Sequence, residues 1–322
     1  MINPAPPRLA GLTWQPIARG DLAALVELAA VCYLADGGVA FLNEPDNLSD
    51  RYFRDAPGAA IGAFAADEQL VACATVHLIG EADVERAIIA GQVRPEWRHR
   101  GIGTYLMGWS QAQAEALFTA APVDRRLLQI ATETLTDAAD RLYRAHGFEP
   151  VDEQLVMRRD LGLPLPDHPL PPGVTITSWQ PGLAGRFFQA YHASFRERPG
   201  FPGWSAEEWI RWTDDDHLIP EWSLLAQADE VPLGFVTAGI EYLDPFVMQI
   251  GVIPGQRRHG LASALTVETM RRMRAAGETA VELTVNLNNP GALQVYTRLG
   301  FITVGRRARY ERIAQGDSVL KS

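Results

Sequence analysis

The chain has 322 residues and a formal net charge of −10 at pH 7, which excludes nucleic acid as a major partner because neutralising phosphates requires a basic face. Hydrophobic residues make up 47% of the chain and charged residues 21%, which is typical of a soluble globular protein. The length is sufficient for two domains of ordinary size, each with its own core.

Cysteine usage and the N-terminal sequence indicate the compartment. Cys32 and Cys73 lack the spacing of metal ligands and are too few for a disulfide framework, so we expect no metal and a reducing, cytoplasmic setting. The first residues have neither the basic nor the apolar region of a signal peptide, and no apolar run reaches membrane-spanning length. We therefore expect a cytoplasmic protein without a membrane partner.

Alternating apolar patterns and turn residues predict one order of elements in the first half of the chain. The elements are a strand at 12–17, helices at 21–34 and 47–54, a hairpin of strands at 60–64 and 70–79, a strand at 85–93, a helix at 101–119, a strand at 127–132, a helix at 137–146 and a strand at 151–159. Five prolines then fall between Leu161 and Gly173, which excludes a helix and favours an extended spacer.

The same order of elements is predicted again after the spacer. It consists of a strand at 174–179, a helix at 182–196, a tryptophan-rich segment at 201–217 that is helical over 206–212, hairpin strands at 222–227 and 231–242, a strand at 246–252, a helix at 260–276, a strand at 280–285, a helix at 290–299 and a strand at 301–312. Strands joined by helices in this order predict an α/β fold with a mixed sheet in each half. We expect domains at 1–162 and 174–322, separated by a linker at 163–173.

A basic, glycine-containing turn follows one predicted strand in each half and opens a helix. In the second half it reads Arg257-Arg258-His259-Gly260-Leu261-Ala262, and in the first half Arg98-His99-Arg100-Gly101-Ile102-Gly103. Successive backbone N–H groups in such a turn, together with the positive end of the helix dipole, form an anion site. A pyrophosphate is the expected ligand.

A second motif recurs downstream of each turn. Residues 142–148 read LYRAHGF and residues 295–301 read VYTRLGF, and the repeat spacing is 159 residues for Gly101 and Gly260 and 153 for Gly147 and Gly300. Two motifs in the same order at nearly the same spacing indicate an internal duplication, with a period too long for a solenoid.

These paired motifs resemble the GNAT superfamily of acyl-CoA N-acyltransferases. The resemblance covers most of the chain as two tandem copies, an arrangement that is similar to that of the mycothiol synthases. It implies two tandem GNAT-like domains, acetyl-CoA as the cofactor, and transfer of an acetyl group to a primary amine of a small molecule by direct attack. It also implies cofactor contacts in both halves. In the second half these residues are Ile250, Gly251, Val252, Arg257, Arg258, His259, Gly260, Leu261, Ala262, Ser263, Asn286, Asn289, Ala292 and Tyr296, and in the first half Val93, Arg98, His99, Arg100, Gly101, Ile102, Gly103 and Thr104.

The resemblance also implies the catalytic groups. Tyr296 is expected to be the general acid that protonates the departing thiolate, since a phenol of pKa about 10 is a plausible donor, and Tyr143 is the matching residue in the first half. A carboxylate is expected to take the proton of the amine directly or through water. Glu241 is our first candidate for this base, with Asp244 and Glu282 as alternatives.

The two halves differ around the second motif. The second half has Asn286, Asn289 and Ala292 where the first has Glu133, Thr136 and Ala139, and we expect Glu133 to repel a phosphate. We therefore predict that the second half is catalytic, whereas the first binds acyl-CoA without turnover or acts as a scaffold.

Other functions stay open at this point. One is the acetylation of a cysteinyl glucosamine inositol, as in mycothiol synthases, although these have a glutamate where this chain has Phe246. Another is an acyl-CoA sensor without catalysis, since fold does not fix function. Trp204, Trp209, Trp212 and Trp222 form either core or the lining of an acceptor cleft. The protein is expected to be a monomer with pseudo-dimeric halves or a homodimer.

Overall fold

The computed structural model describes residues 9, 11–39, 44–81, 83–118, 123, 125–198, 201–213, 217–241 and 244–314, with only the backbone of Glu81 and Glu241. The chain forms two compact units. Unit 1 comprises Met1–Leu155 together with Val304–Ser322, and unit 2 comprises Val156–Thr303.

Unit 1 is built on a mixed sheet that carries helices on both faces. Its elements are β1 (Thr13–Pro16), α1 (Leu22–Asp36), α2 (Pro45–Phe53), β2 (Gly58–Phe64), β3 (Leu70–Glu81), β4 (Val84–Val93), α3 (Ile102–Leu117), β5 (Arg125–Thr132), α4 (Asp137–Ala145) and the first part of β6 (Glu149–Asp160). Ala72 and Ala74 pack with α3 residues in one core, whereas Cys73 packs with α1 and α2 in another. This division follows from the alternation of side chains along β3.

Unit 2 repeats this arrangement. After the end of β6 its elements are β7 (Thr175–Ser178), α5 (Ala184–Phe195), α6 (Ala206–Thr213), β8 (Leu224–Ala228), β9 (Val231–Glu241), β10 (Asp244–Val252), α7 (Leu261–Ala275), β11 (Ala280–Asn286) and α8 (Pro290–Arg298), followed by the start of β12 (Ile302–Ile313). The strand order is β6-β11-β10-β9-β8-β7. The predicted mixed α/β fold is confirmed, and both predicted hairpins are present.

The last strand of each sequence repeat lies in the unit formed by the other repeat. Residues Ala308 to Ile313 of β12 pair antiparallel with Thr132 to Leu127 of β5, so unit 1 has the strand order β1-β2-β3-β4-β5-β12. Conversely, β6 belongs to unit 2 from Val156 onward. Residues 163–173 contain neither helix nor strand. The boundaries at 162 and 174 remain a prediction about the repeats, since the compact units are divided differently.

Two parallel strand pairs separate before their strands end. In unit 1, β4 pairs with β5 from Val84↔Arg125 to Ile89↔Ile130, although β4 continues to Val93. In unit 2, β10 pairs with β11 only at Phe246↔Glu282 and Val247↔Leu283, and its register with β9 shifts between Val247 and Gln249. Such a β-bulge bends the strand and redirects its side chains. Each sheet therefore opens beside the helix that follows β4 or β10.

No helix within the described ranges is long and apolar enough to cross a membrane.

The exchange of final strands makes a prediction about fragments. A fragment of residues 156–303 contains the whole of unit 2, whereas a fragment of residues 174–322 lacks the β6 strand and ends in a β12 strand that belongs to unit 1. We expect the first fragment to unfold cooperatively and the second to melt about 10 °C or more lower, because the backbone groups of β11 lose their partner strand. Differential scanning calorimetry of both fragments measures this. Equal melting temperatures would contradict the exchange.

Candidate active site

The two glycine turns have the same backbone conformation. His99 has φ 60° and Gly101 φ 81°, and in the other turn Arg258 has φ 66° and Gly260 φ 82°. Left-handed residues in such a turn direct successive N–H groups toward one concavity. In each turn the motif arginine holds the loop to the preceding strand, because Arg98 Nε donates to Val93 O at 2.9 Å and Arg257 Nε donates to Val252 O at 3.1 Å.

Each turn leads into an uncapped helix N-terminus. Gly101 is the N-cap of α3 and Gly260 the N-cap of α7, and no side chain caps either helix. The N–H groups of the first turns therefore have no intrahelical acceptor; they include Ile102, Gly103 and Thr104 in α3 and Leu261, Ala262 and Ser263 in α7. A Cβ built on either glycine meets no atom within 4 Å. Open space in front of a positive helix end fits a pyrophosphate group.

In unit 1 the separation of β4 from β5 opens a cavity of about 280 Å³. Its wall combines the end of β4, the glycine turn, the inner side of α3, the end of β5 and the start of α4. The lining residues that bear on function are Cys32, Asp36, Ala90, Val93, Arg98, His99, Gly101, Gly103, Thr104, Thr136, Ala139 and Tyr143. The structure thus brings most of the predicted first-half cofactor residues together around one cavity.

The charged side chains of the two turns are engaged differently. Arg98 makes a two-pronged ion pair with Asp36, at 2.6 Å and 2.8 Å, and Arg100 lies over the Trp97 ring and donates to Glu96 O. In unit 2, Arg257 donates to the Ser194 carbonyl at 2.9 Å. Arg258 and His259 are exposed and have no hydrogen-bond or ion-pair partner within the part of the chain that the structure describes. The unit 2 turn therefore offers more free positive charge.

Glu133 does not face the unit 1 cavity. It is buried, and its carboxylate forms an ion pair with Arg307 of β12, whose Nε lies 2.8 Å from Oε2. Its neighbours Thr132 and Thr134 line the cavity instead. The expectation that Glu133 repels a bound phosphate is therefore not supported, because the side chain lies outside the lining and its charge is compensated.

Tyr143 contributes its side chain to the unit 1 cavity. Its ring makes an edge contact with Tyr310 at 5.1 Å between centroids. Burial and the negative charge of Asp36 raise the pKa of Tyr143 to about 12. The phenol is therefore protonated at neutral pH.

Tyr296 occupies the matching position on α8 in unit 2. Its side chain is only 6% exposed, and its ring lies 5.8 Å from that of Phe301 in an edge contact. Burial raises the pKa of Tyr296 well above the usual value of a phenol. Within the described ranges the hydroxyl has no hydrogen-bond partner, so it is available to a ligand.

The three candidate bases lie in unit 2, near the start of β10. Glu241 ends β9 opposite Asp244, and its side chain lies outside the described residues. Glu282 is 3% exposed and accepts a hydrogen bond from Arg158 at 2.7 Å, and the same guanidinium lies 3.5 Å from Asp244. Burial raises the pKa of Glu282, although the hydrogen bond from Arg158 opposes this.

The asparagines of the second motif order the turn into α8. Asn289 is the N-cap and accepts from the Ala292 N–H at 3.2 Å, while Asn286 accepts from the Asn288 N–H at 2.9 Å. Thr136 caps α4 in unit 1 in the same way, through the Ala139 N–H at 3.1 Å. The contrast between asparagine and threonine is therefore smaller than the sequence suggested, because both kinds of side chain act as helix caps.

Two features of the site were missed by the sequence analysis. Asp36 sits at the end of α1, lines the cavity and binds Arg98, 62 residues away in sequence. Gln249 accepts a hydrogen bond from Trp209 Nε1 at 3.1 Å. No local motif marks either residue. Of the four tryptophans, Trp209 and Trp222 are buried, whereas Trp212 is 40% exposed and stacks obliquely on Trp204.

Comparison with known proteins agrees with this geometry. The profile of the Acetyltransferase (GNAT) family matches residues 186–301, and that of an Acetyltransferase (GNAT) domain matches residues 60–150. Each match covers one glycine turn and one of the two downstream motifs, so both repeats are recognised separately.

Curated relatives and solved structures extend the match over most of the chain. A mycothiol acetyltransferase of Frankia casuarinae is 33% identical over 73% of this chain and 70% of the relative, and one of Parafrankia sp. is 28% identical over 96% and 100%. A GCN5-related N-acetyltransferase from Sphaerobacter thermophilus has a TM-score of 0.73 at 24% identity, covering 96% of this chain and 97% of that one. A tandem GNAT protein from the clavulanic acid biosynthesis pathway has a TM-score of 0.63 at 15% identity, over 94% and 98%.

Duplicated glycine turns on uncapped helices, separated parallel strands and matches in both halves lead to one conclusion. The chain belongs to the GNAT family of acetyltransferases, as a tandem member that transfers an acetyl group to an amine.

Proposed function

We propose that unit 2 carries out acetyl transfer from acetyl-CoA to the primary amine of a small molecule. The observation that carries this proposal is the bulge after Val247, where β10 leaves β11 and continues beside β9 to Val252 before the turn at Gly260. The register of β4 with β3 in unit 1 is continuous from Ala72↔Val93 to Glu81↔Val84. Only in the unit 2 pair does a bulge redirect the backbone at the point where the reacting group would lie.

Backbone groups at this opening would bind the acetyl donor. Acetyl-CoA supplies the acetyl group as an activated thioester. The turn from Arg257 to Ala262 would hold the pyrophosphate through its N–H groups, while Ile250 to Val252 would hydrogen-bond the pantetheine arm as an added strand. A Cβ on Gly251 would come within 2.7 Å of Phe235 and 2.8 Å of Ser194. Glycine keeps this strand close to α5, and its N–H would stabilise the thioester oxygen.

Tyr296 would then protonate the leaving thiolate. Because burial raises the pKa of Tyr296, the acid form persists across the physiological range. The hydroxyl proton is the only proton that this side chain can donate. General acid catalysis typically increases the rate by about 10² to 10⁴-fold.

A carboxylate at the start of β10 would accept the amine proton. Glu241 remains our candidate, acting directly or through water, with Asp244 beside it in the β9–β10 register. Glu282 is a weaker candidate, because it is almost fully buried and Arg158 occupies one of its oxygens.

Unit 1 would bind acyl-CoA without turning it over. Its cavity, its uncapped α3 and its left-handed Gly101 support binding. The absence of a bulge in the β4 register is the reason to assign the chemistry to unit 2. The alternative role of an acyl-CoA sensor without catalysis therefore applies to unit 1 and not to the whole chain.

The similarity to the relatives identifies the amine acceptor only in part. Their name favours a second candidate reaction, acetylation of a cysteinyl glucosamine inositol. Phe246 is 5% exposed and apolar, whereas the resemblance implies a glutamate at this position in mycothiol synthases, so we put a more general small-molecule amine first.

The cofactor assignment can be tested by titration of acetyl-CoA in a calorimeter. We expect two sites in the wild type, with Gly101→Glu removing one and Gly260→Glu the other, because each carboxylate enters the space in front of a helix N-terminus. Gly173→Glu is the matched control, since Gly173 has φ 76° and no atom within 4 Å of its Cβ position. Turnover should be lost only with Gly260→Glu. Loss of turnover with Gly101→Glu alone would reverse the assignment of the two units.

The role of Tyr296 can be tested with Tyr296→Phe. We expect kcat to fall about 10²-fold or more while the Kd of acetyl-CoA changes little, because only the proton donor is removed. Since burial raises the pKa of Tyr296, the wild-type kcat should show no decline from this group between pH 7 and 10. Tyr143→Phe is the matched control. A wild-type rate in Tyr296→Phe would exclude the phenol as the acid.

A further inference from the structure

Gln249 is the first residue after the bulge of β10, and it lies on the sheet face that α5 and α6 cover. It pairs in register with Thr237. Gly251, which is two residues further along β10, pairs with Phe235. Phe235 belongs to the aromatic core that includes Phe187 and Tyr191 of α5 and Trp209 of α6. Residues opposite each other in adjacent strands share a face. Gln249 therefore points to the face of unit 2 opposite α7 and the glycine turn.

The orientation of the Gln249 amide is fixed by chemistry. Trp209 is fully buried, and its Nε1–H donates to Gln249 Oε1 at 3.1 Å. An indole N–H can only donate, so the amide oxygen must face Trp209 and the amide nitrogen must face away from it. Among the described residues Nε2 has no protein partner, and Gln249 remains partly exposed. The side chain therefore presents two N–H donors from a rigid anchor.

Comparison of the units shows that this position borders the opening of the sheet. Val93 and Val252 correspond, because each accepts a hydrogen bond from the motif arginine of its turn. Three residues earlier in each strand lie Ala90 and Gln249. Ala90 lines the unit 1 cavity. By the same register, Gln249 stands at the opening between β10 and β11.

The surroundings of Gln249 are also more polar than those of Ala90. Thr237 Oγ1 and Ser194 Oγ are buried without a hydrogen-bond partner in the described part of unit 2. In unit 1, Thr75 lies opposite Ala90 and donates its hydroxyl to Ala59 O at 3.3 Å. Unit 2 thus concentrates uncommitted polar groups on one side of the opening, which is unusual in a buried site.

We propose that Gln249 is a specificity-determining residue for the acceptor. Its Nε2 donates a hydrogen bond to a carbonyl or hydroxyl oxygen that lies one or two carbons from the amine. Because Nε2 has no lone pair to accept with, it binds this oxygen rather than the N–H groups of the amine. The preferred acceptors are therefore 2-aminoamides and 2-hydroxyamines rather than alkylamines. This inference rests on the proposed role of unit 2 in acetyl transfer.

The test compares glycinamide with isobutylamine, which has nearly the same shape but no oxygen. With kcat/KM calculated per neutral amine, we expect the wild type to prefer glycinamide by roughly tenfold or more, as expected for one hydrogen bond to a buried site. Gln249→Leu should abolish this preference mainly by raising the KM of glycinamide, because isobutylamine has no oxygen for the amide to bind; the Kd of acetyl-CoA is measured alongside.

Two further variants separate recognition from folding. Trp209→Phe keeps an aromatic ring but removes the donor that orients the amide, so it should reduce the preference without abolishing it. Gln180→Leu replaces an exposed glutamine of unit 2 and should leave the preference unchanged. Circular dichroism melting controls for folding in each variant.

Three outcomes would overturn the inference. If Gln249→Leu slows both amines by the same factor, the amide acts on the thioester or on the fold and not on the acceptor. If the wild type binds acetyl-CoA but acetylates no primary amine, the proposed function itself fails. An unchanged preference in Gln249→Leu would leave the proposed function intact while refuting the role of Gln249.

Discussion

The candidate site depends on strands that stop pairing before they end. Beyond Ile89 in unit 1 and Val247 in unit 2, the strand edge no longer has its parallel neighbour. Backbone polar groups need partners, and a bound chain-like ligand can supply them. The glycine turn then follows within a few residues, because the same strand delivers the chain to the helix N-terminus. In the proposed function, one interruption of the ladder therefore provides both the slot for the acyl arm and the site for its phosphates.

The left-handed glycines restrict which residues the two turns can contain. Gly101 and Gly260 have φ values of 81° and 82°, and neither has neighbouring atoms near its Cβ position. A side chain at either position would be strained and would also extend into the phosphate space. The arginine three residues earlier stabilises the turn through the strand carbonyl, so its guanidinium serves the loop and not only the ligand. Positive charge for a ligand must then come from the remaining turn residues and from the helix dipole.

Much of this could be predicted from sequence because it is local. The turn, its helix and the duplication follow from residues within a few positions of Gly101 and Gly260. The exchange of β6 and β12 could not be predicted, since the strand pattern of residues 302–313 is equally compatible with either sheet. The expectation that Glu133 repels a phosphate failed for the same reason, because its partner Arg307 lies 174 residues away. The pairs Asp36–Arg98 and Trp209–Gln249 are also brought together only by the tertiary fold.

The two units share the glycine turn and its helix but differ at the opening, in the backbone of β10 as well as in its side chains. In unit 1, Asp36 neutralises Arg98, and the apolar Ala90 lines the cavity at the position that corresponds to Gln249. In unit 2 a bulge precedes Gln249, and Arg258 and His259 carry no partner in the described chain. Binding a thioester requires only the shared features. Selecting and orienting an amine requires additional polar groups on the far face of the sheet, and these are present in unit 2. In the proposed function, the difference between holding the cofactor and using it therefore lies in the few residues around the bulge of β10.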